Sequence, residues 1–394
     1  MNGKFHPREV IARAIRSPII RPGDNLKGIF MEALENATLG DIQNGDIFAL
    51  TESAVAYGQN NGVSFWEIAE DVERKFGNPK TLAIVDPIQS RNRFFSILKA
   101  IAMTPSIEKL YVVMTYPTDE VGNRLVSDLA IMKSGVNPYA DCLTPEEFYE
   151  KLGVPAHIFT GKNYIELYQQ VCLEKIEVLM CNDFSKLPSV CGCEDFLVCS
   201  IHRRKQTKTI LQEAGAKRVL DMSEIMNTPS KDGGGYNEIY GLYGSNKMGE
   251  DHLKLMPRDC EALVYDIQKA IFDKYGKHVE VMVYGDGCFK DPNGEIWELA
   301  DPEPCLAATD GLHGTPKEVK LKDLVAMNKE KSIEQIEQIV AEAAAKRRQT
   351  DELTGSASLG TTPRKITALL ASLADLMSGS GDRQTPFIHI RNYL

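Results

Sequence analysis

The residues best suited to chemistry lie between Val279 and Leu312, in VEVMVYGDGCFKDPNGEIWELADPEPCLAATDGL. An apolar run, Val279 to Tyr284, stops at Gly285-Asp286-Gly287. Glycine accepts backbone angles that other residues resist, so the pattern predicts a buried strand entering a tight turn. Asp286 then projects from a strand end with room for a ligand beside it. Lys290 and Asp291 follow, then a Pro-Asn-Gly turn, and Glu298 and Asp301 come shortly after. Carboxylates at a strand end suit a hard divalent cation, and the amides of glycine-rich backbone suit phosphate. A polar turn with solvated acids reads from the same residues, so the rest of the chain has to decide.

The elements that would position these groups read as strands and helices in alternation. Leu26, Ile29, Phe30 and Leu34 recur at helical spacing, with Asp24 or Asn25 as cap. Asp46 to Thr51 reads as a strand whose end carries Thr51, Glu52 and Ser53, a phosphate contact or a plain strand-to-helix cap. Helices are predicted at 65–76, 90–103, 164–174 and 207–215, and strands at 81–85, 109–115, 178–181, 196–200 and 218–220. That alternation predicts a parallel or mixed sheet. Ser90, Arg91 and Arg93 at a predicted helix N-terminus read either as an anion site or as a solvated first turn. Six glycines between 233 and 249 allow close backbone approach to a ligand, without the context of a Walker loop or a dinucleotide fingerprint. An amphipathic helix over 258–275 leads into the Asp286 strand. A helix over 332–348 reads as a packing helix, and a last helix over 363–377 runs through Ser378-Gly379-Ser380-Gly381-Asp382 into a strand at 386–391.

Composition bounds the function. The 394 residues suffice for two or three domains, with 43% hydrophobic and 25% charged residues, as in globular proteins. A net charge of −10 gives no basic surface for nucleic acid or an anionic membrane, so neither partner is expected. The opening residues carry no apolar signal core and no apolar run reaches membrane-spanning length, so a cytoplasmic protein is expected. Nine cysteines at irregular spacing argue against a disulfide framework. The cluster Cys181, Cys191, Cys193 and Cys199 reads as reduced structural thiols, or otherwise as a metal or redox module.

Three blocks together resemble the coenzyme F-420:L-glutamate ligase family. They are SPIIRPGDNLKGIF with NGDIFALTESAVA, then GLYGSN with the long helix and VMVYGDGCFK, then ITALLASLADLMSGSGDRQTPFIHIR. They are similar, in the same order, to the family's P-G-D-D-L and G-D segments, its G-I-D-Q-S-N and strand-D-T-F-G-R, and its terminal helix, loop and strand. The resemblance implies an α+β fold with an α/β insertion: mixed sheets and a γ-glutamyl-ligase-like core from residues 1–62 and 236–394, with an α/β domain inserted at 63–235. It implies an enzyme that uses GTP or ATP and Mg2+ or Mn2+ to join L-glutamate to a carboxylate on a deazaflavin coenzyme or a folate-type glutamate tail, through an acyl phosphate. A homodimer is expected on the same ground.

Carried over by position, Asp286 becomes a metal ligand and catalytic residue with Lys290, and Glu298 and Asp301 are further metal candidates. Ser17, Ile20, Glu52, Ser53, Asn246, Gly379, Ser380, Gly381 and Asp382 fall on nucleotide-binding segments. Tyr243 stands where the family has a second metal-binding Asp, Tyr57 where it has a Lys, Gly287 where it has a Thr, and Ser380 where it has a Gln. Either other acids (Glu250, Asp251, Glu298, Asp301) complete the site or the chemistry has drifted. The alternative reading is therefore a non-catalytic nucleotide- or cofactor-binding protein on the same scaffold.

Overall fold

A computed structural model describes residues 9–37, 39, 41–157, 160–231, 233–286, 301–316, 319–348, 364–378 and 383–394. Its strands are β1 (Ile11–Ile15), β2 (Ile47–Thr51), β3 (Gly62–Ser64), β4 (Thr81–Val85), β5 (Lys109–Met114), β6 (Cys142–Leu143), β7 (Ile176–Cys181), β8 (Asp195–Val198), β9 (Arg218–Asp221), β10 (Asn246–Met248), β11 (His252–Lys254), β12 (Glu280–Tyr284), β13 (Cys305–Ala308) and β14 (Phe387–Arg391). They form three sheets, and the fold is α+β with an α/β portion.

The first sheet has the order β1-β14-β2-β12-β13 and joins the two ends of the chain. It is mixed: β2 and β12 run parallel, and the other pairs are antiparallel. Strand alternation sends Phe48 and Leu50 to one face and Ile47 and Ala49 to the other. The first face packs on helices Leu26–Asn36 and Cys260–Tyr275, through Phe30, Val264, Ile267 and Ile271. The second packs on helix Ile366–Met377 through Leu370, Ala371 and Ala374. Asn25 caps the first helix by accepting from the Gly28 N–H at 3.1 Å. Because β2 and β12 are parallel, with Tyr284 opposite Thr51, their carboxyl ends lie side by side. Glu52 and Asp286 are brought together this way, although 234 residues separate them in the sequence.

The second sheet has the order β6-β7-β5-β4-β8-β9. Its strands β7, β5, β4, β8 and β9 are parallel, with only the short β6 antiparallel. Both faces are buried, and the strands accordingly read as near-continuous apolar runs. Strand order reverses between β4 and β8, so the loops leaving those strands open toward a common crevice. The helix predicted at 65–76 is present as Phe65–Phe76, fixed by a capping box between Ser64 and Glu67 and by the left-handed Gly77.

The third sheet, β10-β11-β3, is a short antiparallel ribbon against which the chain around residue 62 turns. Its strands are too polar and too short for their sequence to announce them. Helix Ile333–Arg348, read from sequence as a packing helix, is largely exposed, with Ile333 73% accessible. Among the described residues no helix is long and apolar enough to cross a membrane.

Candidate active site

Five charged side chains from all three sheets converge at the carboxyl ends of β2 and β12. Glu52 opens helix Glu52–Gly58 directly after β2, and its carboxylate is buried. Lys254, the last residue of β11, closes on it, with Nζ at 2.8 and 2.6 Å from the two carboxylate oxygens. The same ammonium lies 3.4 Å from Ser53 Oγ. Asp286 follows β12, and Asp301 leads toward β13. The Asp286 N–H donates to Asp301 Oδ2 at 3.0 Å. Between the two aspartates stands Arg93, from the loop after β4, with Nη1 at 2.8 Å from Asp301 and Nη2 at 3.1 Å from Asp286.

Gly285 makes this packing feasible. A Cβ on it would lie 2.8 Å from Asp301 Oδ2 and 2.9 Å from the Glu303 carbonyl oxygen, closer than any side chain can sit. Asp301 can reach the Asp286 amide only because nothing projects there.

Three carboxylates face two cations, so the group keeps an excess of negative charge. Burial pushes Asp286 up to about 7, and the neighbouring Asp301 adds to that against the pull of Arg93. Burial likewise raises Glu52, with Lys254 opposing and Asp301 reinforcing the shift. Burial would lower Arg93, but Asp301 and Asp286 outweigh it and hold the guanidinium more firmly protonated than usual.

The donor set is all oxygen, the chemistry that hard divalent cations take. Arg93 and Lys254 now hold those oxygens. Among the described residues no three His, Cys, Asp or Glu side chains converge as a ready-made metal group. Asp286 and Asp301 nevertheless fit such an ion in kind, on condition that Arg93 yields its place, and Glu52 could join them only by giving up Lys254.

Beside the carboxylates opens a cleft of about 570 Å³, lined by Ser17, Ile20, Thr51, Ser53, Ser378 and Thr385 among others. Its wall is stitched from both ends of the chain: Ser17 N–H donates to the Gln384 carbonyl at 2.9 Å, and Thr51 N–H to that of Pro386 at 3.0 Å. Ser17, Ile20 and Ser53 thus share one cleft, and Glu52 lies between its lining residues Thr51 and Ser53 with its own side chain buried. Asn246 does not line this cleft and lies next to the Arg93 loop: its Oδ1 is 3.5 Å from Asn92 Nδ2, and the Lys247 N–H donates to the Asn92 carbonyl. Lys290, Glu298, Gly379, Ser380, Gly381 and Asp382 lie outside the described residues.

Several expectations change. Arg93 is not part of a solvated first turn: the helix begins only at Phe94, and Arg93 turns its side chain onto the aspartates. Arg391, near the end of the chain, is bound to Asp46 at 2.8 and 2.7 Å and is not available as a phosphate counter-charge. Tyr243 is a fully buried structural residue whose hydroxyl donates to the Ser200 carbonyl at 2.9 Å, with Arg204 over its ring. The glycines at 233–249 serve internal packing where contacts are tightest. A Cβ on Gly241 (φ +54°) would collide with the carbonyl oxygens of Ile225 and Met222. Asp251 is paired with His252 on the exposed β10–β11 turn and does not join the carboxylate group. Cys181, Cys191, Cys193 and Cys199 are free, buried thiols.

A family model described as F420-0:Gamma-glutamyl ligase matches residues 14–392. Compared with curated proteins, the chain has no significant match.

Proposed function

The chain belongs to the F420-0:gamma-glutamyl ligase family, and on that premise we propose that it joins the amino group of L-glutamate to a carboxylate acceptor at the expense of a nucleoside triphosphate. The acceptor class is a deazaflavin coenzyme or a folate-type glutamate tail, and GTP or ATP is the co-substrate. The observation that carries this reading is the meeting of Ser17, Ile20, Thr51, Ser53, Ser378 and Thr385 around one cleft beside the Glu52–Asp286–Asp301 carboxylates. Pairing of β1, β14 and β2 puts these segments side by side, at the same strand ends as the carboxylates. Its volume suits a nucleotide-sized ligand.

An acceptor carboxylate oxygen attacks the terminal phosphoryl group, releasing nucleoside diphosphate and leaving an acyl phosphate. The glutamate amine attacks the acyl carbon, the amide forms, inorganic phosphate departs, and the amine loses a proton. A Mg2+ or Mn2+ ion held by Asp286 and Asp301, with Glu52 and Glu298 as further donors, would neutralise triphosphate charge. Lys254 fixes Glu52, Arg93 fixes the two aspartates, and Lys290 is proposed as a phosphate counter-charge. Gly379, Ser380, Gly381, Asp382 and Asn246 are proposed to complete the nucleotide contacts. A cytoplasmic homodimer, with residues 63–235 as an insertion into a 1–62 and 236–394 core, belongs to the same proposal.

The test is Asp286→Asn, compared at matched thermal stability with the unchanged chain. Glutamate-dependent phosphate release should fall roughly a hundredfold or more, because localised charge stabilisation is a large catalytic contribution. Unaltered turnover would remove Asp286 from the site. Nucleotide binding with no turnover in the unchanged chain would favour the alternative of a non-catalytic binding protein, which the pairing of every described carboxylate here with a resident cation already makes concrete.

A further inference from the structure

Arg93 reaches the site from a part of the chain that none of the three family-like blocks contains. Its loop is anchored from below. The Gln89 N–H donates to the buried Asp119 at 2.8 Å, and the Ser90 N–H to the Tyr168 hydroxyl at 3.1 Å. Tyr168 in turn donates to the Ile88 carbonyl at 3.2 Å. At the start of the same loop Asp86, with φ +58°, is buried and paired with Arg203 at 2.8 Å. A rigid loop of the second sheet therefore delivers one guanidinium into a carboxylate pair of the first. Arg93 is 13% exposed in its side chain and Asp301 1%, whereas Asp286 is 34% exposed and is the side from which a ligand can approach.

We propose that Arg93 is the resident counter-cation of the Asp286–Asp301 pair: it occupies these carboxylates while the site is empty, competes with a divalent ion for them, and turns to the phosphoryl oxygens when a metal–nucleotide complex binds. The inference rests on the ligase reading above. Its physical basis is that a guanidinium fits two carboxylates through its fork, and fits two phosphoryl oxygens equally well. A fixed positive charge within salt-bridge distance also opposes a second cation on the same oxygens. A divalent ion can take these oxygens only when Arg93 releases them, and the freed guanidinium then has the phosphoryl oxygens within the same site to turn to. In this role Arg93 is a positioning residue for the metal and a binding residue for the nucleotide. It keeps the carboxylates preorganised without the repulsion they would otherwise suffer.

The experiment uses the full chain and reads Mn2+ binding directly, by the paramagnetic signal of the free ion, with and without a non-hydrolysable nucleoside triphosphate analogue. Arg93→Gln removes the charge and keeps the length. Without nucleotide it should bind Mn2+ about tenfold or more tightly than the unchanged chain, as the competing charge is gone. With Mn2+ present it should bind the analogue about tenfold more weakly, as the phosphate contact is gone. Arg93→Lys, which keeps a charge without the fork, should fall between, and serves if Arg93→Gln does not fold. Equal or weaker Mn2+ binding in both variants overturns the inference and leaves the ligase reading standing. No Mn2+ binding in any variant overturns the inference together with metal dependence. Opposite shifts for Mn2+ and analogue, without glutamate-dependent turnover, support Arg93's role while the ligase reading fails.

Discussion

Replacing Lys254 by Met should strand the Glu52 carboxylate in the interior. The two side chains are 6% and 8% exposed, so water cannot substitute for the lost ammonium. Removing one partner of a buried pair costs about 3–5 kcal/mol. Unfolding entropy of about 2.1 cal/mol/K per residue, applied to 394 residues melting as one unit, turns that into a Tm drop of about 4–6 °C. Glu52 can escape part of the cost by taking up a proton, since its pKa is already raised by burial. A folded-state pKa above the unfolded one means that the folded chain holds the extra proton. Stability is then retained at acid pH and lost as pH rises through the raised value. Lys254→Met should therefore look mild in acid and severe in alkali. The double variant Glu52→Gln/Lys254→Met should recover most of the loss, because no unpaired charge remains. Urea and thermal unfolding of the singles and the double at acidic and alkaline pH provide the test. A loss under about 1 kcal/mol at alkaline pH, or a double variant no better than Lys254→Met, would refute the reasoning.

Tyr243→Phe removes the hydroxyl that bonds the Ser200 carbonyl and should cost about 1–2 kcal/mol in denaturant unfolding, with turnover retained; lost turnover at matched stability would make Tyr243 a site residue. Gly285→Ala forces Asp301 away from the Asp286 amide and presses on the Glu303 carbonyl, so it should lower the unfolding midpoint and, at matched thermal stability, cut glutamate-dependent turnover about tenfold or more. Asp46 sits between Arg391 and His389, and their bonds overcome its burial to hold its carboxyl well below the usual range. That stabilisation is present above the unfolded-state pKa and is lost as pH falls through the folded value. Asp46→Asn should then be destabilised by about 3–5 kcal/mol at neutral pH, the gap closing in acid, as pH-dependent unfolding will show.

Much of this architecture is written in local patterns. Helix Phe65–Phe76 and strand Thr81–Val85 have the bounds that the sequence pattern predicts, and the Ser64–Glu67 capping box is what fixes the helix start. Asp286 at a strand end, followed by Asp301, was legible from glycine and carboxylate types alone. Arg93 was visible as a charge but not as a partner of Asp301, 208 residues away, because no local pattern encodes a contact between sheets. Its backbone, at φ −112° and ψ −90°, leaves helical geometry, so the helix starts later than helical periodicity implied. Lys254 escaped notice for a different reason: it ends a three-residue strand with no apolar alternation to mark it. Helix Ile333–Arg348 is present where the sequence predicts it but is largely exposed and not a packing helix, because an apolar side does not say what covers it.

The central claim is that a carboxylate is activated by phosphoryl transfer and captured by glutamate. The most direct measurement is to incubate the purified chain with L-glutamate, Mg2+ or Mn2+, GTP or ATP, and heavy-oxygen-labelled carboxylate acceptors of the deazaflavin and folate types. Mass spectrometry then reads both the acceptor and the released phosphate. The account predicts an acceptor heavier by one or more glutamyl residues and one labelled oxygen carried into phosphate per bond formed, both lost in Asp286→Asn. Nucleotide that binds or hydrolyses without a glutamyl product, or with unlabelled phosphate, would contradict it.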